Sequence, residues 1–355
     1  MTHSTTTLPA VGDILAEHRH RRLRRRALLA VLAVACLLAI ALDIATGPSA
    51  MSPWRIVTGL ARPDLLSAAE AAIVWQIRLP YALTAVLVGA CLALSGAEMQ
   101  TVLDNPLASP FTLGVSSAAS FGASLAIVLG LGLPFLPSDG LVALNAFVFA
   151  FGSVLLLQAM ARAQRGGVQS IVLFGIAMVF AFNALTALVQ FVASQEALQQ
   201  LVFWTMGSLS RSSWRSVAVL TAVLVLAAPF SWIAAHALTA LRLGEDRAAS
   251  AGVDVTRLRF FSLLRASLLS AAAVAFVGVV GFVGLVGPHI ARLLVGEDHR
   301  LFLPASLLSG ALLMSLASAA SKTLIPGALL PVGVVTAVIG VPAFLLLIFK
   351  SGARG

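Results

Sequence analysis

Ionisable side chains are rare in the long apolar runs of this 355-residue chain, and Glu98 lies deepest in one of them. An Asp, Lys or Arg at the middle of a membrane helix costs roughly 2.5–3.5 kcal/mol on insertion scales, so such residues mark a partner or a function. Two interpretations are open for Glu98: it faces a water-filled path, or it accepts a hydrogen bond from a neighbouring helix. His289 directly follows Pro288 and is expected to be a hydrogen-bonding core residue rather than a metal ligand.

Other residue patterns that carry chemistry are missing from the sequence. No His, Cys and carboxylate residues have the spacing of a metal site, and Cys36 and Cys91 stand alone in apolar runs. No nucleophile is paired with a base, and the phosphate-cradling pattern GxxxxGK[ST] does not occur. The sequence therefore predicts no catalytic residue, metal or cofactor in this chain. If ATP and Mg²⁺ drive the protein, a partner subunit must bind them.

The composition is that of a membrane domain. Hydrophobic residues make up 59% of the chain and charged residues 10%, with a mean hydropathy of +1.00, whereas soluble domains carry about 25% charged residues. The deficit runs through the whole chain, which excludes a soluble domain with one anchor. The formal charge of +9 could suggest a nucleic-acid partner. However, the basic residues lie in short loops without aromatic neighbours, which is typical of loops that stay in the cytoplasm.

Ten membrane-spanning helices are predicted from the apolar runs. Residues 1–26 are expected to form a basic cytoplasmic segment, 27–350 a single transmembrane domain and 351–355 a cytoplasmic tail. The first run could be a signal peptide, but no small-residue cleavage site follows it, so we expect it to be retained. The predicted spans are 27–46, 80–102, 112–131, 141–161, 170–193, 216–241, 260–281, 282–295, 303–321 and 331–349.

The basic residues favour a topology with both termini in the cytoplasm. With ten spans, 17 of the 23 Lys and Arg residues lie inside, including six at 19–26 and the cluster in the loop 242–259. Removing one span would place that cluster and the C-terminus on the wrong side. The longest outer connections, 47–79 and 194–215, contain no soluble domain.

Two segments rich in proline and glycine interrupt the apolar pattern, 105–117 and 277–292. Helices broken inside a membrane lie against protein or a water-filled cavity, and one such segment in each half of a chain indicates a transport path. The second segment has glycines at 278, 281, 284 and 287, and Pro288 is expected to break its helix. An ordinary turn and simple helix packing are the alternatives, and packing best explains the first two glycines. The candidate pathway residues are Glu98, Asn105, Pro106, Gly287, Pro288 and His289.

The loop 242–259 contains a pattern typical of a miniature helix. Glu245 and Asp246 suit a helix N-terminus, the following alanines favour continuation, and Gly252 suits a stop. A solvated loop would explain the charges, but a capped helix of about two turns favours a docking surface for a cytoplasmic partner. The predicted contact residues are Gly244, Glu245, Asp246, Arg247, Ala248, Ala251 and Gly252.

Ordered motifs from the second span to the C-terminus resemble the FecCD-type permeases of ABC importers for ferric siderophores, haem and cobalamin. Because the blocks occur in order and at matching spacing, a chance match is not a serious alternative. They include Arg78-Leu79-Pro80, Asn105-Pro106-Leu107-Ala108, Leu243-Gly244-Glu245, Gly281-Phe282-Val283-Gly284-Leu285-Val286-Gly287-Pro288-His289 and Leu330-Pro331-Val332-Gly333.

This resemblance implies an all-α subunit of the bacterial inner membrane, a bundle of ten helices like that of the cobalamin importer permease. It would pair with a second copy or a paralogue around a central pathway lined by the fifth span. Two ATPase subunits, which bind ATP and Mg²⁺, would receive the loop helix 245–251. A periplasmic or lipid-anchored binding protein would dock on the outer face. ATP binding would rock the two permeases to give alternating access, and hydrolysis would reset the cycle.

The resemblance also implies docking residues, because family members pair basic residues on the outer face with acidic residues of the binding protein. Arg78 and Lys322 match such positions. Tyr81 stands where a basic residue is expected, and Ser318 and Leu329 replace acidic residues. The docking surface is therefore expected to carry less charge than is usual in the family.

The sequence also favours one class of cargo and one source of energy for transport. The motifs at 108–112 and 321–326 look most like those of ferric-siderophore members, followed by haem and then cobalamin permeases. The main alternative is a secondary transporter coupled to protons or sodium, and the next is a passive scaffold or channel. A secondary transporter is expected to carry paired carboxylates in its spans, but Glu98 stands alone and Asp43 lies near a helix end.

Overall fold

A computed structural model describes residues 11–47, 49, 51–132, 138–163, 167–325 and 327–352. All regular secondary structure in these ranges is helical, which confirms the predicted all-α fold. Residues 1–10, Pro326 and the end of the predicted tail, 353–355, lie outside the described residues. The helices are α1 Val11–Ala45, α2 Pro53–Ala61, α3 Ala68–Ala72, α4 Leu79–Val102, α5 Val115–Leu129, α6 Ser138–Ala163, α7 Val168–Phe191, α8 Gln195–Thr205, α9 Trp214–Ile233, α10 Ala235–Leu241, α11 Glu245–Ser250, α12 Val255–Val277, α13 Val283–Val295, α14 His299–Thr323 and α15 Val332–Gly352.

The membrane spans match the apolar runs of the sequence. In the described part of the chain, seven helices are long and apolar enough to cross a membrane. Three shorter apolar helices, Val115–Leu129, Val283–Val295 and Val332–Pro342, coincide with the predicted third, eighth and tenth spans. The seven long ones are Arg19–Ala45, Ala68–Val102, Gly140–Ala163, Val168–Phe191, Trp214–Ile233, Val255–Val277 and His299–Thr323.

Helix α4 forms the centre of the bundle, packed against α9, α12, α13 and α14. It is apolar on all sides, which is the pattern of a buried helix. Small residues let its neighbours approach closely, as is usual where lipid supplies no hydrophobic force between helices. A Cβ atom added to Gly96 would lie 1.8 Å from the carbonyl oxygen of Gly284 in α13, so these two backbones are in direct contact.

Several helices lie in polar sequence outside the predicted spans. Helix α1 begins at Val11 rather than at 27, because arginine is a good helix former and the basic stretch continues the helix. The predicted outer loops 47–79 and 194–215 contain α2, α3 and α8, and Ser52, Ser67 and Ser194 cap their N-termini. The predicted span 216–241 is divided at Ala234 into α9 and α10.

Candidate functional site

Helix α11 forms as the sequence predicts, between two glycines. Gly244 precedes it with φ +108°, and Gly252 follows it with φ +84°. The Gly252 amide donates to Ala249 O (2.9 Å) and the Val253 amide to Ala248 O (3.0 Å), the pairing that ends a helix on a left-handed residue. These bonds satisfy carbonyls that an exposed helix end would leave open.

One side of α11 faces the bundle and the other is exposed. Ala248 is fully buried, whereas Glu245, Asp246 and Arg247 are exposed. Leu243, just before the helix, has 63% of its surface exposed. We name the exposed face the α11 surface; it consists of Leu243, Glu245, Asp246, Arg247, Ala249 and Ala251. An apolar side chain beside charges of both signs is suited to a protein partner.

Arg259 joins α11 to two spans. Its Nη2 donates to Glu245 Oε1 at 2.5 Å, and its Nε donates to Val102 O, the last residue of α4, at 3.0 Å. The Arg259 side chain is 16% exposed. A displacement of α11 must therefore act on α12, which carries Arg259, and on the end of α4.

A second charge cluster lies at the same end of the bundle, and the sequence analysis did not find it. Arg242 contacts Asp104 (2.7 Å) and Glu297 (2.9 Å), and Arg292 contacts Glu297 (3.0 Å). Burial raises the pKa of Glu297, but the hydrogen bond from Arg242 and the attraction of both arginines outweigh burial, and the pKa lies below its ordinary value. Asp104 is more than 55 positions from Arg242, and Arg242 is 55 positions from Glu297. Only the fold brings these residues together.

Glu98 is enclosed by protein. Its carboxylate has no exposed surface; it accepts from Arg265 Nη2 in α12 at 2.6 Å and from the Ser231 hydroxyl in α9 at 2.5 Å. The hydrogen-bonding interpretation of this residue is therefore the one that the geometry supports. The structure does not place Glu98 on a water-filled path. Its partner Arg265 lies in α12 and is half-buried, with 14% of its side chain exposed, and Glu98 is the only carboxylate in α4.

Arg78 and Lys322 are also internal, at the end of the bundle opposite α11. The Arg78 guanidinium donates to Ile44 O (3.0 Å) and Ala45 O (2.9 Å) at the C-terminus of α1, a favourable place for a cation. The residue is 4% exposed. The structure places Arg78 inside the end of the bundle, and its function in docking stays a prediction.

Lys322 belongs to a closed cluster around Asp43. Its Nζ lies 2.7 Å from Asp43 Oδ1 and 4.4 Å from the centre of the Tyr81 ring. The Ser318 hydroxyl donates to the same carboxylate at 2.7 Å. Lys322 has 4% of its side chain exposed, and its function in docking likewise stays a prediction. The two departures from the family pattern, Tyr81 and Ser318, are the residues that complete this internal cluster.

The two Pro/Gly segments meet at one groove, which we name the apolar groove. It has a volume of about 360 Å³. Phe111 comes from the first segment, Gly281 and Phe282 from the second, and Met206 from the end of α8. The remaining lining residues are Thr205, Val279, Leu285, Gly333, Val334, Ala337 and Val338. The groove thus joins parts of the chain that the sequence analysis singled out separately.

The helix break in the second segment is not at Pro288. Gly278 (φ +80°) ends α12 and Phe282 (φ +66°) precedes α13, whereas Pro288 lies inside α13. The amide that proline lacks would have bonded to Gly284 O, and Gln100 Nε2 donates to that carbonyl instead, at 3.4 Å. The helix therefore continues through the proline.

The predicted pathway residues of this segment accordingly lie beside the groove rather than on its wall. Gly287 and Pro288 are buried, and Gly287 packs against Ala93 of α4; His289 is half-buried. Packing explains three glycines of the strip, Gly278, Gly284 and Gly287: a Cβ added to Gly278 would lie 2.2 Å from Trp204 O, whereas a Cβ on Gly281 would meet open space. Asn105 and Pro106 lie in the turn after α4, where Asn105 Oδ1 accepts from the Leu107 amide at 2.9 Å.

The fold and these features define a membrane-embedded permease subunit, a helical bundle with a short, exposed helix at one end. The chain belongs to the FecCD transport family, whose model matches residues 33–350. It is therefore a permease subunit of an ABC importer, and separate subunits hydrolyse ATP. Among the described residues, no group of three or more His, Cys, Asp or Glu side chains could hold a metal ion.

Known relatives and a solved structure agree with this class. The chain is 36% identical to the vitamin B12 import system permease BtuC of Vibrio vulnificus over 94% of this chain and 96% of that protein. It is 36% identical to the hemin transport system permease HmuU of Yersinia pestis over 78% of this chain and 84% of that one. A solved structure described as an inward-facing metal-chelate type ABC transporter has a TM-score of 0.81 at 30% identity, covering 92% of this chain and 99% of that one.

Proposed function

We propose that this permease carries an iron chelate, with a ferric siderophore as the first candidate and haem as the second; cobalamin, a chelate of cobalt, is the alternative. The observation that carries the proposal is the apolar groove, whose lining residues include no ionisable side chain. A bare metal ion would require oxygen, nitrogen or sulfur ligands along its path. A chelate carries its metal inside an organic shell, and Phe111, Met206 and Phe282 offer a surface along which such a shell can move.

The second permease copy is proposed to lie against α7. Leu173, Phe180 and Leu188 on this helix are 67%, 71% and 67% exposed, and they recur at the spacing of one helix face. Lipid would also cover these side chains. However, Gly175 of α7 lies against Leu113, two residues from Phe111 on the groove wall, so a second copy there would enclose a path between the two chains.

The ATPase is proposed to bind the α11 surface, with that end of the bundle in the cytoplasm. Arg25, Arg242, Arg259 and Arg292 all lie at this end, since Arg25 approaches Gly296 beside the second charge cluster. Such an excess of arginine is typical of the cytoplasmic side. The binding protein would dock at the opposite end, from which the cargo enters.

Two experiments test these assignments. The complex should be co-purified with its ATPase and binding protein, and the bound ligand identified by mass spectrometry. We expect an iron chelate; a ligand without iron would reject the siderophore and haem candidates. In vesicles, uptake should need ATP together with the ATPase subunit. Uptake by the isolated chain under a proton gradient would contradict the importer mechanism and favour a secondary transporter.

A further inference from the structure

A second cavity lies between α6 and α9, with α12 as its floor. We name it the crevice; its volume is about 650 Å³, within the range of about 300–1,000 Å³ typical of small-molecule sites. Apolar side chains line most of it, including Ala143, Phe147, Val223 and Ala275. None of these residues lines the apolar groove, so the crevice is separate from the proposed path.

Trp204 supplies a polar group inside the crevice. This side chain is 1% exposed and lines the cavity. Its indole nitrogen has no hydrogen-bond partner in the described structure. A buried N–H without an acceptor is destabilising, because it has lost its hydrogen bond to water. The crevice therefore favours an occupant that carries a hydrogen-bond acceptor.

Positive charge lies at one end of the crevice. Arg211 and Arg215 line it just before and at the start of α9, and Arg215 is exposed. This end is the one opposite α11, because Trp214 Nε1 donates to Trp75 O, in the stretch that leads into α4 (2.9 Å). Tryptophan and arginine at the end of a span are typical of the level of the lipid headgroups.

We propose that the crevice binds one anionic phospholipid. Its phosphate pairs with Arg215 and Arg211, its glycerol ester carbonyl accepts from the Trp204 indole, and one acyl chain lies along Phe147, Val223 and Ala275. The cationic end, the indole donor and the apolar walls of the crevice match the phosphate, the ester carbonyl and the acyl chain of a phospholipid. Two arginines together favour a net negative headgroup over a zwitterionic one.

Binding of defined lipids to the purified chain tests this proposal. Native mass spectrometry of delipidated protein, titrated with phosphatidylglycerol or phosphatidylcholine, gives the affinity for the first lipid bound. We expect tighter binding of phosphatidylglycerol. Arg215→Ala should weaken it about fivefold, and Trp204→Phe, which keeps the ring and removes the donor, should weaken both lipids severalfold. Ala143→Phe, from a half-buried wall position, should block binding of the first lipid.

Arg62→Ala is the matched control, because Arg62 is an exposed arginine at the same end of the bundle and does not line the crevice. It should bind phosphatidylglycerol as the parent protein does. An equal loss in Arg62→Ala and Arg215→Ala would show general attraction by surface charge and overturn the site. Unchanged affinity in both Trp204→Phe and Ala143→Phe would also overturn it. Displacement of the lipid by excess inorganic phosphate would show a small-anion site instead.

Discussion

Arg265 holds Glu98 at the centre of the subunit, with Nη2 2.6 Å from Oε2 and no exposed surface on the carboxylate. The pair joins α4 to α12, and Ser231 adds α9 through Glu98 Oε1. Three spans therefore meet at one buried carboxylate. Such a pair is tolerated because each charge neutralises the other where water is excluded. Its function in this chain follows from that geometry: it fixes the spans against each other.

Removing one member of this pair should destabilise the subunit strongly. Glu98→Leu leaves the Arg265 guanidinium, 14% exposed, without its partner, and we expect a loss of about 3–5 kcal/mol in the free energy of unfolding. The double variant Glu98→Leu with Arg265→Met should recover most of that loss. Denaturant unfolding of the purified chain measures both. A double variant as unstable as the single one would show that the pair itself, and not the unpaired charge, accounts for the stability.

Arg259 should be required for coupling rather than for insertion. Arg259→Ala removes the contacts to Glu245 and Val102 that connect α11 with the spans. We therefore expect uptake to fall severalfold while the complex still hydrolyses ATP. Arg257→Ala is the control, since Arg257 is 81% exposed and contacts Asp254 on its own helix. Equal uptake in the two variants, measured in vesicles with ATP, would contradict this function of Arg259.

Arg78 should stabilise the chain without contributing to docking. Arg78→Ala removes its contacts to Ile44 O and Ala45 O, so we expect a lower melting temperature. Among variants that remain folded, affinity for the binding protein, measured at low and high salt, should be unchanged. A loss of affinity at low salt with unchanged stability would support the docking function predicted from the sequence.

The spans and the helix in the loop 242–259 could be predicted from the sequence, because both depend on local patterns. Apolar length defines a span, and a glycine after an alanine-rich turn ends a helix at Gly252. The partners of Glu98 and Lys322 could not be predicted, because Arg265 and Asp43 are 167 and 279 positions away. Arg265, eleven residues into the apolar helix α12, nevertheless indicated a partner inside the bundle, because a charge within a span needs one. The predicted helix break at Pro288 was wrong for a related reason. Gln100 donates to the carbonyl that Pro288 leaves without its usual amide partner, and no local pattern shows this.

The second charge cluster should make stability depend on pH in the acidic range. The pKa of Glu297 is lower in the folded chain than its ordinary value of 4.5. The cluster's contribution is therefore present above pH 4.5 and is lost as the pH falls through the folded value. Glu297→Gln should flatten the pH dependence of the melting temperature in that interval. An unchanged profile in this variant would assign the acid response to other carboxylates.

Gly96 should be the least replaceable glycine of the central helix. An added Cβ would lie 1.8 Å from Gly284 O, a distance that only a shift of α4 or α13 can relieve, and α4 contacts four other spans. We therefore expect Gly96→Ala to lower stability by several kcal/mol, at the upper end of overpacking effects. Gly152→Ala in α6 is the matched control: its Cβ meets open space, so it should raise stability by about 0.5–1 kcal/mol through helix propensity. Denaturant unfolding of the two variants measures the difference. If Gly96→Ala were as stable as Gly152→Ala, the direct backbone contact between α4 and α13 would be wrong. The apolar groove would then have to be placed anew, because α13 begins directly after Phe282 on its wall.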